Sequence, residues 1–204
     1  MFAIVESGSI TSMPNGNKGV QIGDIKHPAS IFTLWSESER NAIGVYTVEI
    51  DETNKKDSEY YINTNITYAF GSGKVTGTYG TATARAIADT KWTQAQIDDP
   101  SLVGQAPEGA DTNTVRLEGL KTLKKRELDN QCASILAPSD YMAIKAAEGI
   151  AIDSGWKTWR ASVRTKCNSM QTQIDNAANV DALAALYVYK DGERPLGEFP
   201  ILEI

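Results

Sequence analysis

Histidine and cysteine are nearly missing from this 204-residue sequence, which holds one histidine, His27, and two cysteines, Cys132 and Cys167. With no Cys-x-x-Cys and a single imidazole, no zinc-type ligand set can be assembled, so no metal is expected. A positive excess is missing as well. The 26 acidic residues outnumber 20 basic ones, for a formal net charge of −6. That balance argues against a protein that neutralises a phosphate backbone. No stretch reaches the roughly 18 consecutive apolar residues of a membrane span. The opening Met1-Phe2-Ala3-Ile4-Val5-Glu6 has neither the basic start nor the apolar run of a secretory signal. The expectation is a chain made in the cytoplasm of the producing cell, with neither nucleic acid nor membrane as a partner.

The motifs of catalysis are also missing. Gly-x-Gly-x-x-Gly, a Walker loop, Gly-x-Ser-x-Gly and His-Glu-x-x-His do not occur. Gly71-Ser72-Gly73 reads as a hairpin turn with no helix behind it to receive a phosphate. His27 precedes Pro28 and has no neighbouring carboxylate, so it reads as a turn residue. Asp98-Asp99 reads as a linker charge pair. No catalytic residue, no cofactor and no enzymatic activity are expected.

What is present points to an α+β fold. Phe2 to Glu6 and Val20 to Ile22 read as the strands of a small hairpin, with Pro14-Asn15-Gly16-Asn17-Lys18-Gly19 as its loop. Ser36 with Glu39 three residues on forms a capping box for a short helix that stops near Gly44. Val45 to Ile50 then alternates as a strand. Residues 1–50 therefore read as a β-rich unit with one short helix. Residues 51–90 read as a hairpin, Tyr60–Phe70 and Lys74–Ala82, rich in tyrosine and threonine. An isolated hairpin is marginal in water, so it either packs on the first unit or forms an exposed edge used in assembly. Residues 91–111 carry Asp98, Asp99, Pro100, Gly104, Pro107 and Gly109 and read as a linker. Trp92 within it docks on the chain itself or on a partner.

From residue 112 to 187 the pattern is helical. Leu117, Leu120, Leu128, Cys132 and Ile135 define one helix face, and Lys121, Lys124, Lys125 and Arg126 read as a solvated basic face. Pro138 ends this helix. Ser139 or Asp140 caps a short helix, Tyr141 to Glu148, and Asp153 or Ser154 caps a long one. In the long helix Trp156, Trp159, Val163, Cys167, Met170 and Ile174 step at three and four residues, an apolar seam. The two long helices read as an antiparallel hairpin with the tryptophans at its centre. The cysteines read as small buried thiols, and a disulfide requires that the two face each other. Arg160 and Arg164 flank the seam. They bind an acidic partner surface, or they pair with Asp140 or Glu148; a pairing of Asp140 with Arg164 would leave Asp140 free to cap its own helix as well. Residues 188–204 read as an extended tail.

Ser139-Asp140-Tyr141 followed by Trp156-x-x-Trp159-Arg160-x-x-Val163-Arg164 resembles the C-terminal segment of phage tail-fibre-associated and tail fibre assembly proteins. There the pattern runs Ser-Asp-Trp, then Trp-x-x-Tyr-Arg-x-x-Leu-Arg. Tyr141, Trp159 and Val163 depart from it but keep an aromatic or aliphatic character. Pro28, Phe32, Trp35 and Ile43-Gly44-Val45 match a looser Pro…Trp…Gly-Val pattern of such proteins, and the chain looks like a virion protein type of marine tailed phages. The resemblance implies a structural tail protein of the baseplate, tail tip or fibre attachment, located in the virion. Its partners would be other tail or fibre proteins or further copies of itself. A fibre assembly chaperone absent from the finished particle is the alternative, and a sugar-binding protein using Tyr60, Tyr61 and Tyr68 is a third. The expected partner-binding residues are Tyr141, Trp156, Trp159, Arg160, Val163 and Arg164, with Trp35 and Trp92 as further contacts.

Overall fold

The computed structural model describes residues 1–102 and 104–202 and has an α+β fold divided into two compact units, Met1–Thr83 and the chain from Ala84 onward. The strands of the first unit are β1 (Phe2–Glu6), β2 (Ser9–Ser12), β3 (Val20–Ile22), β4 (Ile25–His27), β5 (Val45–Asp51), β6 (Tyr61–Ile62), β7 (Ile66–Gly71) and β8 (Lys74–Tyr79). Its helices are α1 (Ile31–Leu34) and α2 (Glu37–Ala42). Five strands form one sheet in the order β2-β1-β5-β8-β7.

The hairpin of residues 66–79 is therefore part of the N-terminal sheet, with β8 running parallel to β5 and Val48 opposite Val75. Ala3, Val5 and Val75 are buried on one face, against Ile10, Tyr46, Val48 and Phe70. Ile4 and Val45 are buried on the other, against Ile31 and Phe32 of the short helix α1. The outer strands β2 and β7 come within 8 Å of each other at Cα without pairing. A strand inserted between them needs about 9.5 Å, twice the interstrand spacing, so no further strand fits where they approach.

Three sequence expectations change here. The strand after Glu6 is β2, with Ser7 and Gly8 both at positive φ (51° and 79°) in a two-residue turn. That is the geometry a right-twisted hairpin selects. The 14–19 cluster is therefore not the hairpin loop, and β3 pairs with β4 instead. There are two short helices in place of one; the Ser36–Glu39 capping box of α2 and the positive φ of Gly44 are as expected. Tyr60 and Tyr61 are buried, so neither offers a ring for sugar stacking.

The boundary falls within β9 (Thr83–Ala84), and the second unit continues with β10 (Thr90–Lys91), α3 (Gln94–Ile97), β11 (Val115–Leu117), α4 (Leu120–Leu136), α5 (Asp140–Ala147), α6 (Ser154–Asn176) and α7 (Val180–Ala185). The expected linker is folded: β10 pairs with β11, and α3 between them has its own capping box, Thr93 with Gln96. Trp92 is buried with the Arg116 guanidinium 5.2 Å over its ring, so it docks on the chain itself.

The helix expected from residue 112 starts only at Leu120, and Leu117 is an exposed strand residue. The segment before β10 explains the start of α4. Asp89 Oδ1 accepts from the backbone N–H of Gly119 at 2.7 Å, and the Ala86 and Ile87 carbonyls accept from Leu120 and Lys121. These bonds satisfy donors that any helix N-terminus leaves open. Gly119, the N-cap, has no side chain to do it, and a Cβ there would lie 2.8 Å from Ala88 Cα.

Helices α4 and α6 pack against each other. Lys125 pairs with Asp175 near one end, Gln171 bonds Asp129 further along, and Arg160 reaches Leu136 at the other end, so the two run antiparallel as expected. Their shared core holds Leu128, Cys132 and Leu136 with Val163, Cys167, Met170 and Ile174. Lys124 departs from the solvated face expected of it. It is buried, bonds Glu127 at 2.9 Å and lies over the Tyr187 ring. Asn179, and not Asp181, caps α7. The segment after α7 folds back, with Leu196 buried and its N–H bonded to the Leu186 carbonyl.

Candidate functional site

Pro138 cannot continue α4, and the chain turns through a single 3-10 turn, Ala137–Ser139, into α5. That turn leaves the Leu136 carbonyl at a buried helix end, where it needs donors. Arg160 supplies one. The residue is 7% exposed. Nη1 donates to Leu136 O at 2.9 Å and to Ser139 Oγ, and Nη2 donates to Asp140 Oδ1 at 2.7 Å. Ser139 is fully buried, and its own hydroxyl donates to Leu136 O at 2.8 Å. One guanidinium thus ties the end of α4, the turn and the first residue of α5 to α6.

Arg160 therefore belongs to the packed face of α6, which steps Arg160, Val163, Cys167, Met170, Ile174. Of the two arginines expected to pair with Asp140 or Glu148, it is Arg160 and not Arg164 that pairs with Asp140. Trp156 and Trp159 are half-buried at the N-terminal end of α6 and not at the centre of the hairpin. Their rings meet edge to face, 5.8 Å apart. Trp159 Nε1 donates to the Pro200 carbonyl at 2.9 Å, holding the returning tail. Val163 and Arg160 are buried and pack within the unit, so neither offers a surface to a partner. Trp35, in the first unit, is half-buried, edge-on to His27 at 6.0 Å and packed on the α1 core. Tyr141 and Arg164 are the expected residues that face outward.

Six of the eight residues of α5, Asp-Tyr-Met-Ala-Ile-Lys-Ala-Ala, are apolar or aromatic, yet none of its residues is buried. Tyr141 is 51% exposed and Ile144 61%, and Ile150 just beyond the helix is 51% exposed. The helix ends in a complete Schellman motif. Gly149, at φ 80°, bonds the Ala146 carbonyl and Ile150 bonds the Lys145 carbonyl at 2.9 Å. On one side of α5 a groove of about 300 Å³ is lined by Ala143, Ala146, Ile152, Lys157, Arg160 and Arg164. On the α6 side of that groove, the side chains of Lys157 and Arg164 form no hydrogen bond or ion pair with the described residues. Ala143, Ile144, Ala146 and Lys157 were not singled out from the sequence. The signal for them was an eight-residue helix with only two charged residues, Asp140 and Lys145.

The thiols of Cys132 and Cys167 meet across α4 and α6 and both are free. Burial first, then the neighbouring Cys132 thiol and the Asp129 carboxylate, push the Cys167 thiol up to about 12. A protonated, buried thiol is a poor nucleophile. Among the described residues, no group of three or more His, Cys, Asp and Glu side chains is placed to hold a metal ion, and no helix is long and apolar enough to cross a membrane. No protein family, curated protein or solved structure matches this chain.

Proposed function

We propose that this chain is a structural protein of a phage tail, in the baseplate, tail tip or fibre attachment, and that it works by packing against other tail or fibre proteins. The packing part of this reading is carried by α5. Six of its eight residues are apolar or aromatic and none is buried, and with Tyr141, Ile144 and the following Ile150 exposed it presents the kind of apolar surface that marks an interaction face. Covering Tyr141 and Ile144, each already half in contact, contributes about 1 kcal/mol apiece. An eight-residue helix is too short to be stable by itself, so the Arg160 bonds hold it ready for a partner.

The phage-tail part rests on the resemblance of Ser139-Asp140-Tyr141 and Trp156-x-x-Trp159-Arg160-x-x-Val163-Arg164 to tail-fibre-associated proteins. It is supported by the way these residues depend on one another: Ser139 and Asp140 are bonded directly to Arg160. On this reading the chain is made in the host cytoplasm and resides in the particle, with no chemistry of its own. Quantitative mass spectrometry of purified virions tests it. The expected result is the chain in fixed stoichiometry with the tail proteins. Virions without it contradict residence in the particle and move the reading to a fibre assembly chaperone.

A further inference from the structure

We infer that the groove between α5 and α6 docks an acidic amphipathic helix of a partner protein. The inference deepens the packing reading and rests on it, but it concerns one face and one chemistry. The α5 wall of the groove is Ala143 and Ala146, one turn apart, with Ile152 beside them. Small side chains let a second helix approach at the short end of the 8–10 Å range of helix packing.

The α6 wall is cationic. Lys157 and Arg164 are seven residues apart, about 10.5 Å along the helix, and both are exposed. Arg160 between them is already engaged by Leu136, Ser139 and Asp140. In a chain with six more acidic than basic side chains, two neighbouring cations without an acid are an unmatched positive strip beside an apolar floor. An incoming helix with carboxylates one or two turns apart on the flank of an apolar face matches both.

The path is longer than a small ligand needs. Arg164 also lines the next depression along α4 and α6, about 350 Å³, with Asp129, Cys132, Ala133, Leu136, Cys167 and Asn168. Asp129 at that far end disfavours a third carboxylate, so the partner's acids are expected at the Lys157–Arg164 end and an amide or cation at the other. This gives the docked segment a direction.

The test is a selection of random 18-residue peptides displayed on a surface against the full chain. Enriched peptides are then synthesised with a fluorescent label and titrated by anisotropy. The expected peptides carry Asp or Glu flanking an apolar helical face. Their affinity falls roughly tenfold on the Lys157→Gln/Arg164→Gln double variant, and falls similarly on Ala146→Leu, which fills the floor. Both exposed positions tolerate change, and circular dichroism confirms the fold of each variant. Enrichment without acidic residues, binding unaltered by the double variant, or no enrichment at all overturns the inference. So does sedimentation showing a dimer that Ala146→Leu dissociates, since a second copy would then occupy the groove. Virion composition is independent of this result, so either reading can fail while the other stands.

Discussion

The Arg160 guanidinium reaches across from α6 to the Leu136 carbonyl at 2.9 Å, closing the end of α4 with a side chain from another helix. It does so from a position where the helical pattern calls for an apolar residue. Replacing Arg160 with methionine keeps an unbranched stem but leaves Leu136 O with the Ser139 hydroxyl as its one side-chain donor and Ser139 Oγ without the guanidinium, in a buried place. The expected cost is about 2–3 kcal/mol. Asp140→Asn, at the exposed end of the same ion pair, is expected to cost under about 1 kcal/mol. Urea unfolding of both variants checks the ratio; equal effects would mean that the ion pair and not the helix end matters.

Asp89 caps α4 from outside. Its carboxyl lies below the ordinary carboxylate value, held there first by the Gly119 N–H, then by the Thr122 hydroxyl and the charges of Lys125 and Lys91. A depressed folded-state value stabilises the fold above the ordinary carboxylate range, and the contribution is lost as pH falls through the folded value. Asp89→Ala is therefore expected to lower stability by about 1 kcal/mol at neutral pH and to make little difference in strong acid. Denaturant midpoints measured across that range check the convergence, and parallel curves would contradict it.

Gly119→Ala is expected to be more damaging than Asp89→Ala, because the new Cβ meets the Ala88 backbone and not a movable side chain. A chain that melts at the wild-type temperature with alanine there would show that residues 86–89 do not close over the start of α4.

The face-to-face cysteines were legible as buried helix positions, and so were the two long helices and the cap at Ser36; the cap of α6 was legible as Asp153 or Ser154, and Asp153 provides it. These follow from local spacing. The rest depends on partners far along the chain. Parallel pairing of β5 with β8 has no local signature. The linker's breakers turned out to be the turns and caps of a folded loop held by β10 and β11. The seam was displaced because Trp159 and Arg160 are adjacent, and helical spacing admits either one facing inward. The open carbonyl at Leu136, set by Pro138, decides for the arginine.

Cys132 and Cys167 are expected to resist thiol reagents in the folded chain at about pH 8, where a free thiol is partly ionised. With the Cys167 thiol pushed up to about 12, labelling should require unfolding. Ellman's reagent with and without denaturant measures it, and two rapid equivalents in the native chain would contradict the packing of α4 on α6.

Trp159→Phe removes the donor to the Pro200 carbonyl at a cost of about 1 kcal/mol. The effect should be concentrated in the returning segment, as faster tryptic cleavage after Lys190. An unchanged cleavage rate would mean that Leu196 alone holds the tail.

Hydroxyl-radical footprinting of Tyr141, Met142 and Ile144, in the free chain and in purified phage particles, tests the role of α5 most directly. The account predicts ready oxidation in the free chain and strong protection in the particle. Equal oxidation in both states would contradict it.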